Sequence, residues 1–146
     1  MVGVLLEGQG RREEAQKSYE ATVNGVEDAP VAANNLAFIY AERGINLDVA
    51  LQLATSAKQR LPSDPDVDDT IGWVYYKKNL PSMAVRPLEE SLSKRPDFAP
   101  VLYHLGLTYA KLGDKAKARD ALERALRLEP NIGGQDALLV LKSVSR

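Results

Sequence analysis

The chain has 146 residues, 45% of them hydrophobic and 27% charged, with a formal net charge of −1. So balanced a charge removes the broad attraction that nucleic acid and anionic membranes exert on basic proteins. Cysteine is absent, which excludes disulfides and thiolate metal sites, and no apolar run approaches the roughly 18 residues that span a bilayer.

A period of 34 residues organises what remains. Gly72 recurs as Gly106, Tyr75 as Tyr109, Ala84 as Ala118, Leu88 as Leu122 and Pro96 as Pro130. A fixed period of this size marks a solenoid whose units bury their apolar faces against one another.

The first unit, residues 1–29, carries Gly3 and Leu6, a turn at Gly8-Gln9-Gly10, then Ala15, Tyr19 and Thr22. Glu27 stands where later units close with proline. In this register Met1 falls inside a helix. The expectation is a piece of a longer protein whose first unit leaves one face open. The start has no basic segment of the kind that opens a signal peptide. Cytoplasm and periplasm both remain open.

The second unit, residues 30–64, has Leu36, Ala37 and Tyr40 before Gly44, then Ala50, Ala54, Ala57 and Pro62. It is one residue longer, and the extra residue must lie within Ile45-Asn46-Leu47-Asp48-Val49. The third unit, residues 65–98, has Ile71, Gly72 and Tyr75 before Asn79, then Ala84, Leu88, Ser91 and Pro96. Pro81 fits its turn. Pro87 falls about one turn into the second helix, where it should bend or fray it. The acids Asp64, Asp66, Asp68 and Asp69 lack the central glycine and bidentate glutamate of a calcium loop. Their expected role is to complement the dipole of the helix they start.

The fourth unit, residues 99–132, has Leu105, Gly106 and Tyr109 before Gly113, then Ala118, Leu122, Ala125 and Pro130. Asn131-Ile132-Gly133-Gly134 then breaks the period. Over residues 135–144, Ala137, Leu138, Leu141 and Val144 are at helical spacing, as in a helix that caps an array.

Each unit is therefore two helices joined by a turn. Glycine and asparagine at the turn tolerate the left-handed conformation that ends a helix. Gly or Ala in the first helix lets two backbones approach, while Tyr and Leu fill the space beside them. The expected fold is an all-α, right-handed solenoid of helical hairpins with a C-terminal capping helix.

Leu105-Gly106, Tyr109, Ala118, Leu122, Ala125 and Pro130 resemble the signature of the tetratricopeptide repeat. Ile71-Gly72, Tyr75, Ala84, Leu88, Ser91 and Pro96 resemble it equally, and residues 30–64 do so with Ala37 for the glycine. The family's early tryptophan is missing, with Ala33, Asp68 and Leu102 in its column. The sequence texture is similar to bacterial arrays, some from envelope and polysaccharide-export systems. The resemblance implies a non-catalytic scaffold, without cofactor, that binds a peptide or helix of a partner protein along its concave side. Two rivals are a self-assembling module that pairs through the open first unit, and the docking or regulatory region of a larger enzyme or envelope complex.

In such an array the first helices line the concave side. Those positions hold Val31, Asn34, Asn35, Phe38, Ala41 and Glu42, then Asp66, Asp69, Thr70, Trp73, Tyr76 and Lys77, then Pro100, Tyr103, His104, Leu107, Ala110 and Lys111. Aromatic groups facing a groove are the usual anchors for a docked segment. The candidate site is Asn34, Phe38, Asp69, Trp73, Tyr76, Lys77, Tyr103, His104, Leu107 and Lys111. The same aromatics admit a plainer reading, in which Trp73 and Tyr103 touch across adjacent helices and stiffen the array. Some arrays of the family grip acidic chaperone tails with Lys, Asn and Arg. Here the basic members are replaced by residues such as Asp66 and Asp69, which argues against such tails.

Chemistry has little foothold. His104 is the only histidine, and its expected role is a hydrogen bond to a neighbour such as Asp69 rather than general base or metal ligand. The basic stretch from Lys111 to Arg119 is interrupted by Asp114 and reads as a solvated helix face. Neither a metal, a nucleic acid nor membrane insertion is expected.

Overall fold

A computed structural model describes residues 11–25 and 29–146. The columns at Gly3 and Leu6, the turn at Gly8–Gly10, Glu27 and the open face at Met1 lie outside the described residues. Among the described residues there are eight helices and no strand: α1 (Arg12–Gly25), α2 (Pro30–Arg43), α3 (Leu47–Arg60), α4 (Pro65–Lys77), α5 (Pro81–Lys94), α6 (Ala99–Lys111), α7 (Lys115–Leu128) and α8 (Gln135–Val144). They form an all-α solenoid. The pairs α2–α3, α4–α5 and α6–α7 are hairpins, and each new first helix packs on its predecessors, α4 on α2 and α3, α6 on α5 and α4. The last helix, α8, docks on α7 and α6 as a further first helix would.

The turns repeat in detail. Gly44, Asn79 and Gly113 have φ of 67°, 63° and 81°, the left-handed region that glycine and asparagine enter most readily. The next backbone N–H closes each helix in the same way. Ile45 donates to the Tyr40 carbonyl, Leu80 to Tyr75 and Asp114 to Tyr109, a Schellman closure on one column. The extra residue of the second unit lies where the spacing placed it. Asn46 follows Ile45 at φ 49° before α3 begins. Pro62, Pro96 and Pro130 each stand two residues beyond a helix end, where a helix cannot continue through them.

Two expectations for proline need correction. Pro81 is not in the turn but opens α5, because its fixed φ suits a first helical position and its missing N–H would be unpaired there anyway. Pro87 is therefore the seventh residue of α5, and the helix runs unbroken to Lys94.

Small residues set the crossing inside each hairpin. A Cβ on Gly72 would meet Leu88 Cγ at 2.5 Å, and one on Gly106 would meet Leu122 Cγ at 2.5 Å. In the α2–α3 hairpin the same two columns hold Ala37 and Ala54, both fully buried. One large and one absent side chain are thus replaced by two small ones.

Polar bonds tie one hairpin to the next. The Tyr40 hydroxyl donates to Glu20 at 2.5 Å and the Tyr109 hydroxyl donates to Glu89 at 2.7 Å. In both cases the acceptor is 20 residues earlier, on the previous second helix. Burial first, then the glutamate, pushes the Tyr40 hydroxyl up to about 12.

Asp68 departs from its expected role. It is 1% exposed, and its two carboxylate oxygens accept from Lys58 Nζ at 2.7 Å and Lys94 Nζ at 2.6 Å. Both ammonium groups also donate to the Pro62 carbonyl. The hydrogen bond that Lys94 donates to Asp68 raises the Lys94 pKa above its ordinary value. Only Asp64 caps α4, accepting from the Asp66 N–H at 2.9 Å, whereas Asp68 pins α3 and α5 to the helix between them. Breaking a buried pair from one side is costly because the other charge loses its partner. Asp68→Ala should lower unfolding free energy by about 2–3 kcal/mol in urea titrations at neutral pH, somewhat moderated by the partial exposure of both lysines.

Candidate functional site

The inner faces of α2, α4 and α6 line one groove of about 760 Å³. Helix α2 supplies Asn34, Phe38 and Glu42, α4 supplies Asp69, Trp73, Tyr76 and Lys77, and α6 supplies Tyr103, His104 and Leu107. Nine of the ten candidate residues therefore share a wall. The tenth, Lys111, stands outside it, with its ammonium 5.1 Å from the Tyr76 ring centroid. Of the wider concave set, Val31 is 61% exposed outside the groove and Ala41 is sealed in the core.

A ladder of rings forms the floor. Trp73 stacks on Tyr76 with centroids 4.8 Å apart and on His104 at 4.0 Å, both close to parallel. His104 in turn meets Tyr103 at 5.8 Å, so the histidine ring links Trp73 to Tyr103. The Trp73 indole N–H donates to Glu42 at 2.6 Å. Its ring is only 5% exposed. Trp73 is thus no surface anchor but a buried floor, because its own neighbours cover both its faces and its polar edge. Phe38, Tyr76 and Tyr103 stay half-buried.

His104 and Asp69 meet as expected, with Nδ1 2.7 Å from Oδ1, though both are buried rather than on the surface. Thr70, the groove's aliphatic hydroxyl, donates back to the Asp66 carbonyl at 2.9 Å. Asn34 is 7% exposed, and its amide oxygen has no hydrogen-bond partner.

The segment between α7 and α8 closes the end of the groove with Glu129, Ile132 and Gly133, and the first turn of α8 adds Asp136. Nothing in the columns announces these residues, because Glu129 and Ile132 end the fourth unit outside its repeating columns and Gly133 and Asp136 lie past it. The Gly133-Gly134 pair is the available signal. Gly133 has φ 67°, and a Cβ there would strike the Tyr103 ring at 2.6 Å. Burial, then the Asp136 charge, raises the pKa of Tyr76 and of Tyr103.

A second cavity of about 640 Å³ lies between α5 and α7, over Leu102 and Leu105. Leu102 occupies the column that Asp68 fills one repeat earlier. Apolar groups replace the ion pair, and none of the candidate residues is there. Among the described residues no helix is long and apolar enough to cross a membrane, and no three acids or histidines gather as a metal site.

Known proteins share this fold. A tetratricopeptide-repeat family profile matches residues 99–132, which is the α6–α7 hairpin with the segment that follows. Residues 99–132 are thus a tetratricopeptide repeat, in an array of hairpins that share its columns. The chain is 28% identical over 103 residues to the TPR repeat-containing protein PA4667 of Pseudomonas aeruginosa, a match over 70% of this chain and 17% of that protein. The array thus spans about a sixth of that curated relative. It superposes on TTC0263, a thermophilic TPR protein of Thermus thermophilus, with a TM-score of 0.81 at 24% identity, over 98% of this chain and 77% of that one. The first TPR of Spaghetti (RPAP3), solved with the HSP90 peptide SRMEEVD, superposes with a TM-score of 0.71 at 19% identity, over 80% of this chain and 90% of that one.

A buried stacked indole supports the array as well as the groove. Trp73→Ala should therefore cost about 3–4 kcal/mol of stability in chemical denaturation. A loss under about 1 kcal/mol would contradict the packed floor.

Proposed function

We propose that the array is a non-catalytic scaffold whose concave groove docks a segment or helix of a partner protein. The carrying observation is that Phe38, Tyr76 and Tyr103, all half-buried, converge on one cavity whose floor is already rigid. Preordered aromatic groups lose little entropy on contact and make good anchors. The fold is in general a protein-interaction module, and the RPAP3 neighbour was solved with a peptide bound. In this reading residues 30–64, 65–98 and 99–132 are the recognition units and residues 135–144 cap them.

Catalysis has poor support in the groove. Nδ1 of His104 is committed to Asp69 and its ring is covered by Trp73. The Thr70 hydroxyl is committed to a backbone carbonyl, which leaves it a poor nucleophile.

Phe38 separates binding from folding better than Trp73 does. Phe38→Ala should reduce partner affinity by about 2 kcal/mol, roughly 30-fold. The assay is a pull-down with wild type and variant, followed by titration of the proteins lost. An unchanged set of captured proteins, at unchanged affinity, would contradict the groove as docking surface.

A further inference from the structure

With the groove taken as the docking surface, its charge decides what docks. Glu42, Asp66, Asp69, Glu129 and Asp136 line it, against one ammonium, Lys77. Three of these carboxylates are answered within the chain. Asp66 meets Arg95 at 2.6 Å, Asp69 meets His104 at 2.7 Å, and Glu42 accepts from the Trp73 indole at 2.6 Å. The side chains of Glu129 and Asp136 have neither ion pair nor hydrogen bond among the described residues. Both are exposed, and both stand where the groove meets Tyr103 and α8. The ammonium groups of Lys77 and Lys111 lie over the Trp73 and Tyr76 rings, 5.4 and 5.1 Å from their centroids.

An independent atom points the same way. Asn34 is more than nine-tenths buried in the groove wall, and its amide oxygen accepts from nothing. A buried acceptor without a donor is unfavourable by itself and is relieved when a ligand brings an N–H. The groove thus offers acceptors at Asn34 and negative charge at its capped end. An acidic segment would bring more acceptors and more negative charge to the same place.

We propose that the groove selects a cationic peptide segment, with a lysine or arginine reaching Glu129 and Asp136 and an N–H donor answering Asn34. Its apolar side chains rest on Phe38, Tyr76 and Tyr103. Opposite charge at the rim speeds encounter and excludes acidic competitors, and its effect weakens with salt.

The test selects a random peptide library on the immobilised protein in parallel on wild type, on Phe38→Ala, and on the double variant Glu129→Gln with Asp136→Asn. Both acids are exposed, so the double variant should keep its fold. Peptides enriched on wild type should carry lysine or arginine, lose about tenfold in affinity on the double variant, and weaken as salt rises. Enrichment of neutral or acidic peptides that still depend on Phe38 would overturn the charge selectivity and leave the docking surface standing. Enriched peptides indifferent to Phe38, or none enriched above a blank surface, would overturn both.

Discussion

Each hairpin depends on a constant sum of side-chain volume where its two helices cross. Gly72 faces Leu88 and Gly106 faces Leu122 closely enough that one added carbon would collide at 2.5 Å. Where the first partner gains a methyl, as Ala37, the second shrinks to Ala54. Interiors are packed to crystal-like density, so the distance between the helix backbones follows from the atoms at the crossing. That distance fixes how the next first helix seats, and hence how α2, α4 and α6 line up.

The groove is a consequence of that alignment. One face of each first helix is taken up by the crossing, with Leu36, Ala37, Gly72, Leu105 and Gly106 buried. The neighbouring face is left to look inward across the row. The chain then covers much of that face with its own side chains. Trp73, His104 and Asp69 interlock beneath the surface, leaving Phe38, Tyr76 and Tyr103 as what a partner meets. The contact between Gly133 and Tyr103 brings the capping segment to the same place.

The repeat columns make the hairpins, turn residues and closing prolines legible, because each is a local steric demand that recurs every 34 residues. The concave positions are legible from helix geometry, and nine of the ten candidates do line the groove. What escapes the sequence is interaction across repeats. Asp68 looks like one more acid at a helix start until Lys58 and Lys94 close on it from two other helices. Trp73 looks exposed because its own column says nothing of the histidine that covers it. Pro81 belongs to helix rather than turn by a single residue, a distinction made by capping geometry. The acidic end of the groove comes from Glu129 and Asp136, at and beyond the close of the last unit, where the period gives no guidance.

The volume rule at the crossing is tested most directly by a thermodynamic cycle on Gly106→Ala and Leu122→Ala, measured by urea unfolding. The first change alone overpacks and the second alone leaves a cavity, each costing on the order of 2–3 kcal/mol. Combined, they recreate the pairing of Ala37 with Ala54, and the double variant should be more stable than the sum of the two losses by about 1–2 kcal/mol. Losses that add within about 0.5 kcal/mol would show that the two positions do not share one packing constraint.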